Sequence, residues 1–444
     1  MPQVKEVSKK GLQREFAITV PQDIVEKNLQ ARLTEMGQTA RLPGFRPGKI
    51  PMDVLRKRFG PNARAEVLDR TVSEATEKAL TERNLRPAMQ PKIELVSFAE
   101  DKDLEFKLAV EVLPEVTPGD FSKIAVEKLV AEITDKMIEE AITRAAKAMR
   151  EPEVVAEGRP AKKGDVLVID FDGSVDGEKQ PGMKGQGHRL ELGSKSFIDN
   201  FEDQLVGSKP GDTKTIKVKF PAEYHATHLA GKQAEFEVEV KELRAHKPAD
   251  MSDELAKDLG FPSIDKLRER VRDDISADYG RISRAIVKRQ LLDKLAATHD
   301  FEIPPGMLER EFDAIWKQVE NSKAKGELPE EDKKKSDDAL RKEYHGIAER
   351  RIRLGLLLAE VAQKQSITVS STELRNALMA EARRFPGQEK AVVDYYTQTP
   401  GELERLRAPL LEEKVIDYIL TQAKVSEKTI PAEELLKKTE EKDG

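Results

Sequence analysis

Cysteine is absent from the 444-residue sequence, which removes disulfides, thiol nucleophiles and thiolate-bound zinc in one step. Aromatic residues make up only 5%, with a single tryptophan, so the cores are expected to be thin and mostly aliphatic. No apolar run approaches the roughly 20 residues that cross a bilayer. The opening stretch MPQVKEVSKKGLQREF lacks the apolar centre of a secretory signal, and a cytoplasmic protein is expected. Nucleotide chemistry has no carrier. GFRPGK places three residues between Gly44 and Gly48 and follows Lys49 with Ile50, whereas a phosphate-binding loop needs four residues and a Ser or Thr. GMKGQGH, at 182–188, reads as a lone glycine-rich loop without a strand-turn-helix setting. His225 and His228 have helical spacing but no third histidine beside them, and they read as surface residues rather than metal ligands. Nothing resembles a nucleophile elbow. No metal or cofactor is expected.

Charge is what the chain has in abundance. Charged residues make up 36%, well above an average domain, with a formal net charge of -6. Such a length implies two to four domains with large solvated surfaces. Against the acidic whole, residues 41–64 hold seven cations (Arg41, Arg46, Lys49, Arg56, Lys57, Arg58, Arg64) and one acid, Asp53. A local surplus of this kind is an electrostatic footprint. At its start stands RLPGFRPGKIP, with three prolines, two glycines and a lone Phe45. Proline fixes its own φ and biases the preceding residue toward extended backbone, while glycine permits positive φ, so the segment is a shaped turn. One reading is a solvated connector with Phe45 folded back on its own domain; the other is a recognition loop.

Residues 1–115 read as an α+β domain. Leu12, Phe16, Ile18 and Val20 share strand parity, as do Leu104, Phe106, Leu108, Val110 and Val112, with helical stretches at 24–36 and 63–85. The Pro- and Gly-containing LPEVTPGDFS closes this unit as a linker. In the 116–150 connector, Met137, Ala141, Ala145 and Met149 mark the apolar face of a short helix. Residues 151–246 change to strand signals, with DG turns and the alternation Phe236, Val238, Val240. From 247 the chain is helical: Ile264, Leu267, Val271, Ile275, Tyr279, Ile282 and Ile286 step by three or four, as do Leu308, Phe312, Ile315 and Val319. Leu356, Leu357, Leu358 and Val361 read as core. Ser370 and Glu373 form a capping-box pattern, and the final ELLKKTEEKDG is expected to fray.

GFRPGKIP near the start, DFDGSVDG and FPAEYHATHLAGK in a β-rich middle, and a long helical remainder together resemble the bacterial trigger factor family over essentially the whole chain. The resemblance implies a multidomain α+β protein with an N-terminal α+β ribosome-docking domain, a β-rich FKBP-like middle domain and an all-α C-terminal domain with helical arms. It further implies an ATP-independent chaperone that meets nascent and unfolded polypeptides at the exit tunnel of the large ribosomal subunit, contacting rRNA and ribosomal protein, without a membrane and with a homodimer off the ribosome. Gly44, Phe45, Arg46, Gly48 and Lys49 match the family's ribosome-binding loop. Phe171, Phe197, Ile198, Phe201, Tyr224 and Phe236 are carried over as the catalytic pocket of a peptidyl-prolyl isomerase; for Phe236 a plain core role fits equally well. Two departures point to weak or lost activity: Gln180 and Pro181 stand where the family has an aromatic and an acidic residue after Asp176-Gly177, and His188 replaces a second pocket aromatic. The rival reading is a free-standing prolyl isomerase whose helices serve dimerisation. A third, an RNA-binding regulator, is weakened by the single basic patch.

Overall fold

The computed structural model describes residues 2–440 except 44, 46–47, 100–101, 150, 156–157, 176–177, 222–223, 225, 227–228 and 247–249, with no side-chain description at 180–181 and 439–440. Two compact units divide the chain, the first built from 1–128 and 284–428 and the second from 129–283 and 429–438.

In the first unit, strands β1 (Gln3–Lys10), β2 (Gln13–Val20), β3 (Lys92–Ser97) and β4 (Leu104–Glu111) form a four-stranded sheet in the order β1-β2-β4-β3. Antiparallel register sets Phe16 opposite Leu108, Ile18 opposite Phe106 and Val20 opposite Leu104, so these two central strands bring an apolar block to one face of the sheet. Helices α1 (Gln22–Thr39) and α2 (Met52–Glu82) accompany this sheet, and Val72, Ala75 and Ala79 of α2 complete its core. α2 begins well before the expected residue 63 and runs through Pro61. Gly60, which precedes the proline, has no Cβ to clash with the ring.

The helical part of this unit takes in the end of α6 (Ile264–Thr298), then α7 (Pro305–Lys325), α8 (Glu330–Lys333), α9 (Asp337–Lys364), α10 (Ser371–Ala382), α11 (Glu389–Gln398) and α12 (Glu402–Gln422). α7 and α9 pack through Ile315, Val319 and Ala348. Ser370 and Glu373 make the expected capping box. Leu357, Leu358 and Val361 are core, joined to Leu291, Val415 and Ile416 and to Ile124 and Val126 from far earlier in the chain. β5 (Ala125–Glu132), which begins at this point, pairs with β11 (Lys424–Pro431), where Lys424 N–H donates to Ile124 O at 2.8 Å.

The second unit contains α3 (Asp135–Met149), which packs on α5 (Asp253–Asp258) and the start of α6. The buried face of α3 is Ile138, Ile142 and Ala146. The expected face was Met137, Ala141, Ala145 and Met149, yet Met149 is 65% exposed; the larger isoleucines win the interface because they bury more apolar area. A five-stranded antiparallel sheet follows, with β6 (Glu153–Val154), β7 (Val166–Val175), β8 (Glu178–Glu191), β9 (Thr213–Lys219) and β10 (Gln233–Ala245). β10 is its hub, pairing with β6, β7 and β9. GMKGQGH is therefore strand, part of β8 paired to β7, rather than a loop. α4 (Phe201–Leu205) buries Phe201 and Leu205 in the same core. The expected fraying at the C-terminus fails for its described part, because α13 (Ala432–Glu440) buries Leu435 completely.

Candidate functional site

Each unit carries one surface to which the sequence pointed. In the first, the turn between α1 and α2 is pinned at both feet. Ile50 is buried with Leu33, Leu55 and Ala63, and Leu42 packs on the same cluster. Gly48 N–H donates to Gly37 O at 2.9 Å and Phe45 N–H to Leu42 O at 3.1 Å. Gly48 has φ +77°, a conformation open to glycine at little cost. Pro51 caps α2, its carbonyl accepting from Val54 and Leu55. With the feet fixed in the core, the tip is pushed out: Phe45 is 40% exposed and lies outside the cluster. Lys49 is exposed beside it, while Gly44 and Arg46 lie outside the described residues.

The rest of the cationic run follows along α2. Arg56 pairs with Glu26. Arg64 lies 4.5 Å over the Phe98 ring and donates to Phe98 O at 3.2 Å. Together with Lys57 and Lys102 they line a cleft of about 630 Å3. Lys49, Lys57 and Arg58 are exposed and have no acidic partner among the described residues. This is a surface able to take phosphate charge beside an apolar anchor.

In the second unit, four of the expected phenylalanines form one cluster. Phe171 meets Phe197 edge-on at 5.7 Å and Phe236 at 6.1 Å, and Phe201 lies 4.6 Å from Phe197 and 5.4 Å from Phe236. Phe201 and Phe236 are buried beneath, whereas Phe171 and Phe197 are half-buried and form the outer wall. His188 joins that wall, 5.9 Å from Phe171 and 5.2 Å from Phe197, so its ring still furnishes an edge. Ile198 packs partly buried on the same core; Tyr224 does too, but its ring neighbour is Phe220, at 4.8 Å. Glycines make the room. A Cβ on Gly185, which faces Phe171 in the β7-β8 register, would lie 2.6 Å from its ring, and one on Gly173 would lie 2.5 Å from the ring of Phe236. Asp176, Gly177, His225 and His228 lie outside the described residues, as do the side chains of Gln180 and Pro181. Among the described residues no group of acids and histidines could hold a metal, and no helix is long and apolar enough to cross a membrane. The cluster can desolvate an imide without acid, base or metal, and that suits a rotation whose barrier of about 18–20 kcal/mol comes from amide resonance.

One buried acid beside the aromatic cluster escaped the sequence reading. Glu202, 6% exposed on α4, accepts hydrogen bonds at Oε2 from the N–H groups of Gly193 (2.8 Å) and Lys195 (3.0 Å). Its Oε1 accepts from the N–H groups of Ser196 (2.8 Å) and Phe197 (3.2 Å) and from the Ser194 and Ser196 hydroxyls. Burial pushes the carboxyl up, but the N–H groups of Lys195 and Phe197 and the remaining donors outweigh burial and hold it below the ordinary carboxylate value. The only sequence signal was an acid close behind a short polar turn, GSKS.

Comparison with known proteins finds likeness along most of the chain. The family described as bacterial trigger factor protein (TF) matches residues 2–145, its C-terminus matches 263–421, and FKBP-type peptidyl-prolyl cis-trans isomerase matches 157–241. A trigger factor from Rhodospirillum centenum is 49% identical over 442 residues, covering 100% of this chain and 99% of that protein. One from Azospirillum brasilense is 47% identical over 441 residues, covering 99% and 98%. A solved structure described as "Promiscuous Substrate Recognition in Folding and Assembly Activities of the Trigger Factor Chaperone" superposes with a TM-score of 0.55 at 22% identity, covering 94% of this chain and 99% of that one. That last likeness is one of fold.

Proposed function

We propose, for a chain that belongs to the bacterial trigger factor family, an ATP-independent chaperone that docks on the ribosome at its exit tunnel and receives nascent polypeptide there. The observation that carries this reading is the α1–α2 turn, with both feet pinned in a small core and Phe45 turned outward. Gly44, Phe45, Arg46, Gly48 and Lys49 form the docking loop, cations meeting rRNA phosphates or acidic side chains while Phe45 enters an apolar pocket. Domain limits of 1–115 for docking, 151–246 for the isomerase module and 247–444 for client binding are part of the proposal, as are work in the cytoplasm and self-association off the ribosome. A scaffold of amphipathic, highly charged helices suits client binding, because dispersed apolar patches among mobile charges hold unfolded chains without aggregating.

The FKBP-type module is read as a prolyl isomerase of low activity, with Phe171, Phe197, Ile198, Phe201, Tyr224 and Phe236 around the imide. Its weakness follows from Gln180, Pro181 and His188. A free-standing isomerase is not favoured, since it has no use for the Phe45 loop. Co-sedimentation with ribosomes over a salt series tests the main reading. The intact chain should pellet with ribosomes at low salt, and a variant with Phe45, Arg46 and Lys49 all changed to Ala should stay in the supernatant while remaining folded. Retention of that variant at moderate salt would refute the docking loop.

A further inference from the structure

The loop that carries Phe197 into the aromatic wall follows a disfavoured backbone path. Lys195 and Asp199, on either side of Phe197, both sit at positive φ, +58° and +52°, where side-chain-bearing residues are disfavoured. Gly193 begins the loop at φ +96°. In a turn this tight the N–H groups converge on the inside, and four of them meet one carboxylate, that of Glu202, reinforced by two serine hydroxyls. The Ser196 N–H also donates to the Ser194 hydroxyl, at 3.3 Å, a longer contact than the 2.8 Å it makes with the carboxylate.

Two features make the arrangement directional. Phe197 N–H is itself one of the donors, so the residue whose ring meets Phe171, His188 and Phe201 is tied by its backbone to the carboxylate. Glu202 also directly follows Phe201, whose fully buried ring lies 4.6 Å from that of Phe197. The core therefore fixes Phe201, Phe201 fixes where Glu202 stands, and Glu202 fixes the loop. An ionised carboxylate suits a nest of N–H donors, and hydrogen bonds to it are stronger than neutral ones.

We infer that Glu202 is the positioning residue of the isomerase site: it touches no peptide, and by gathering the 193–197 loop it holds the Phe197 ring in the wall that receives the prolyl segment. The inference rests on reading the aromatic cluster as the prolyl-peptide site, and it accounts for a buried acid that prolyl rotation itself does not use.

The test uses the full chain and two variants. Glu202→Gln keeps the shape but turns an N–H2 toward the backbone donors on one side. Ser194→Ala combined with Ser196→Ala removes the two hydroxyl donors at exposed positions and leaves the carboxylate. Amide hydrogen exchange is read on the loop at 193–197 and on β10 as an internal reference, and affinity and isomerisation are measured with a short Phe-Pro peptide. In Glu202→Gln, loop exchange should rise about tenfold with β10 unchanged, the scale expected for losing one or two charge-assisted hydrogen bonds. Peptide affinity and kcat/KM should fall by a similar factor. The serine pair should move both readouts the same way by roughly two- to fourfold, as neutral donors contribute less. A loosened loop with unchanged peptide affinity and kcat/KM overturns the inference, and so does lost affinity with the loop still protected. Should Glu202→Gln lose protection in β10 as well, the serine pair decides by the same criteria. A parent chain that does not accelerate the peptide at all would sink the isomerase reading, while loop exchange and peptide affinity still judge the role of Glu202.

Discussion

Replacing Phe45 alone with alanine separates the apolar anchor from the charges around it. Phe45 is 40% exposed, and on an aromatic side chain of roughly 200 Å2 that leaves about 80 Å2 for a partner to cover. At about 25 cal/mol per Å2 this area contributes roughly 2 kcal/mol to docking, or about 30-fold in Kd. Stability should hardly change, because the ring lies outside the Leu33, Ile50, Leu55 and Ala63 cluster that fixes the loop. Lys49→Ala should act differently. Removing one phosphate contact lowers the slope of log Kd against log salt by roughly 0.7 to 0.9. Titration of labelled protein against ribosomes at several salt concentrations resolves the two effects. Phe45→Ala should give a line parallel to the parent and displaced by about 30-fold, Lys49→Ala a flatter one. A Phe45→Ala line within twofold of the parent would show that the ring is not buried on docking, and a flattened Phe45→Ala line would show that the partition of anchor from charge is wrong.

Gly185→Ala places a methyl group 2.6 Å from the Phe171 ring, and relief of such overpacking costs about 1 to 3 kcal/mol; Phe-Pro peptide affinity should fall, and an unchanged affinity in a folded variant would refute the view that Gly185 makes room for the wall. Glu373 is held down to about 2 by the Lys414 amine and by Ser370, against an ordinary value of 4.5. Its folded value is depressed, so its contribution is complete above 4.5 and vanishes as the pH falls through about 2. The urea midpoint of the parent should exceed that of Glu373→Gln at neutral pH, and this gap should close over that acid range; a gap independent of pH would remove the ion pair as its cause. Deleting 151–246 is structurally mild, because Val154 and Glu153 pair with Arg244 and Ala245, so the ends lie side by side and a short Gly/Ser linker joins them. Suppression of aggregation of a refolding client should largely survive, and near-complete loss in a folded, ribosome-bound variant would relocate client binding to the isomerase module.

Strong periodicity made much of the fold legible. Phe16, Ile18 and Val20 alternate too regularly to be anything but a half-buried strand, and the heptad-like steps after Ile264 admit only helix. Errors arose where side chains carried little signal. In β8, glycines replace the apolar alternation because Phe171 needs the space over Gly185, so a strand looked like a loop. β11 is exposed at every position but Ile430, and a polar strand has no period to read. On α3 two neighbouring stripes were both apolar, and only the partner surface chose between them. The phenylalanines of the aromatic cluster were readable by resemblance. Glu202 was not, because an acid at the start of a helix is ordinarily solvated and nothing local reveals that its donors come from the loop before it.

The pairing of β5 with β11 has a consequence for how the protein is made. Val126 and Ser426 meet across 300 residues, and the core around Ile124 and Val126 needs Leu291, Leu357 and Ile416 as well. At about 5–20 residues per second, synthesis of the intervening chain takes roughly 15 to 60 s. Throughout that interval the sheet of Phe16 and Phe106 can close with α2, since all its parts lie within the first 112 residues, while Ile124 and Val126 wait without their partners. A newly made copy is thus a folded head trailing an apolar strand with an open edge, the kind of segment that seeks stray pairing. The protein passes through its own synthesis as a chain in need of shelter.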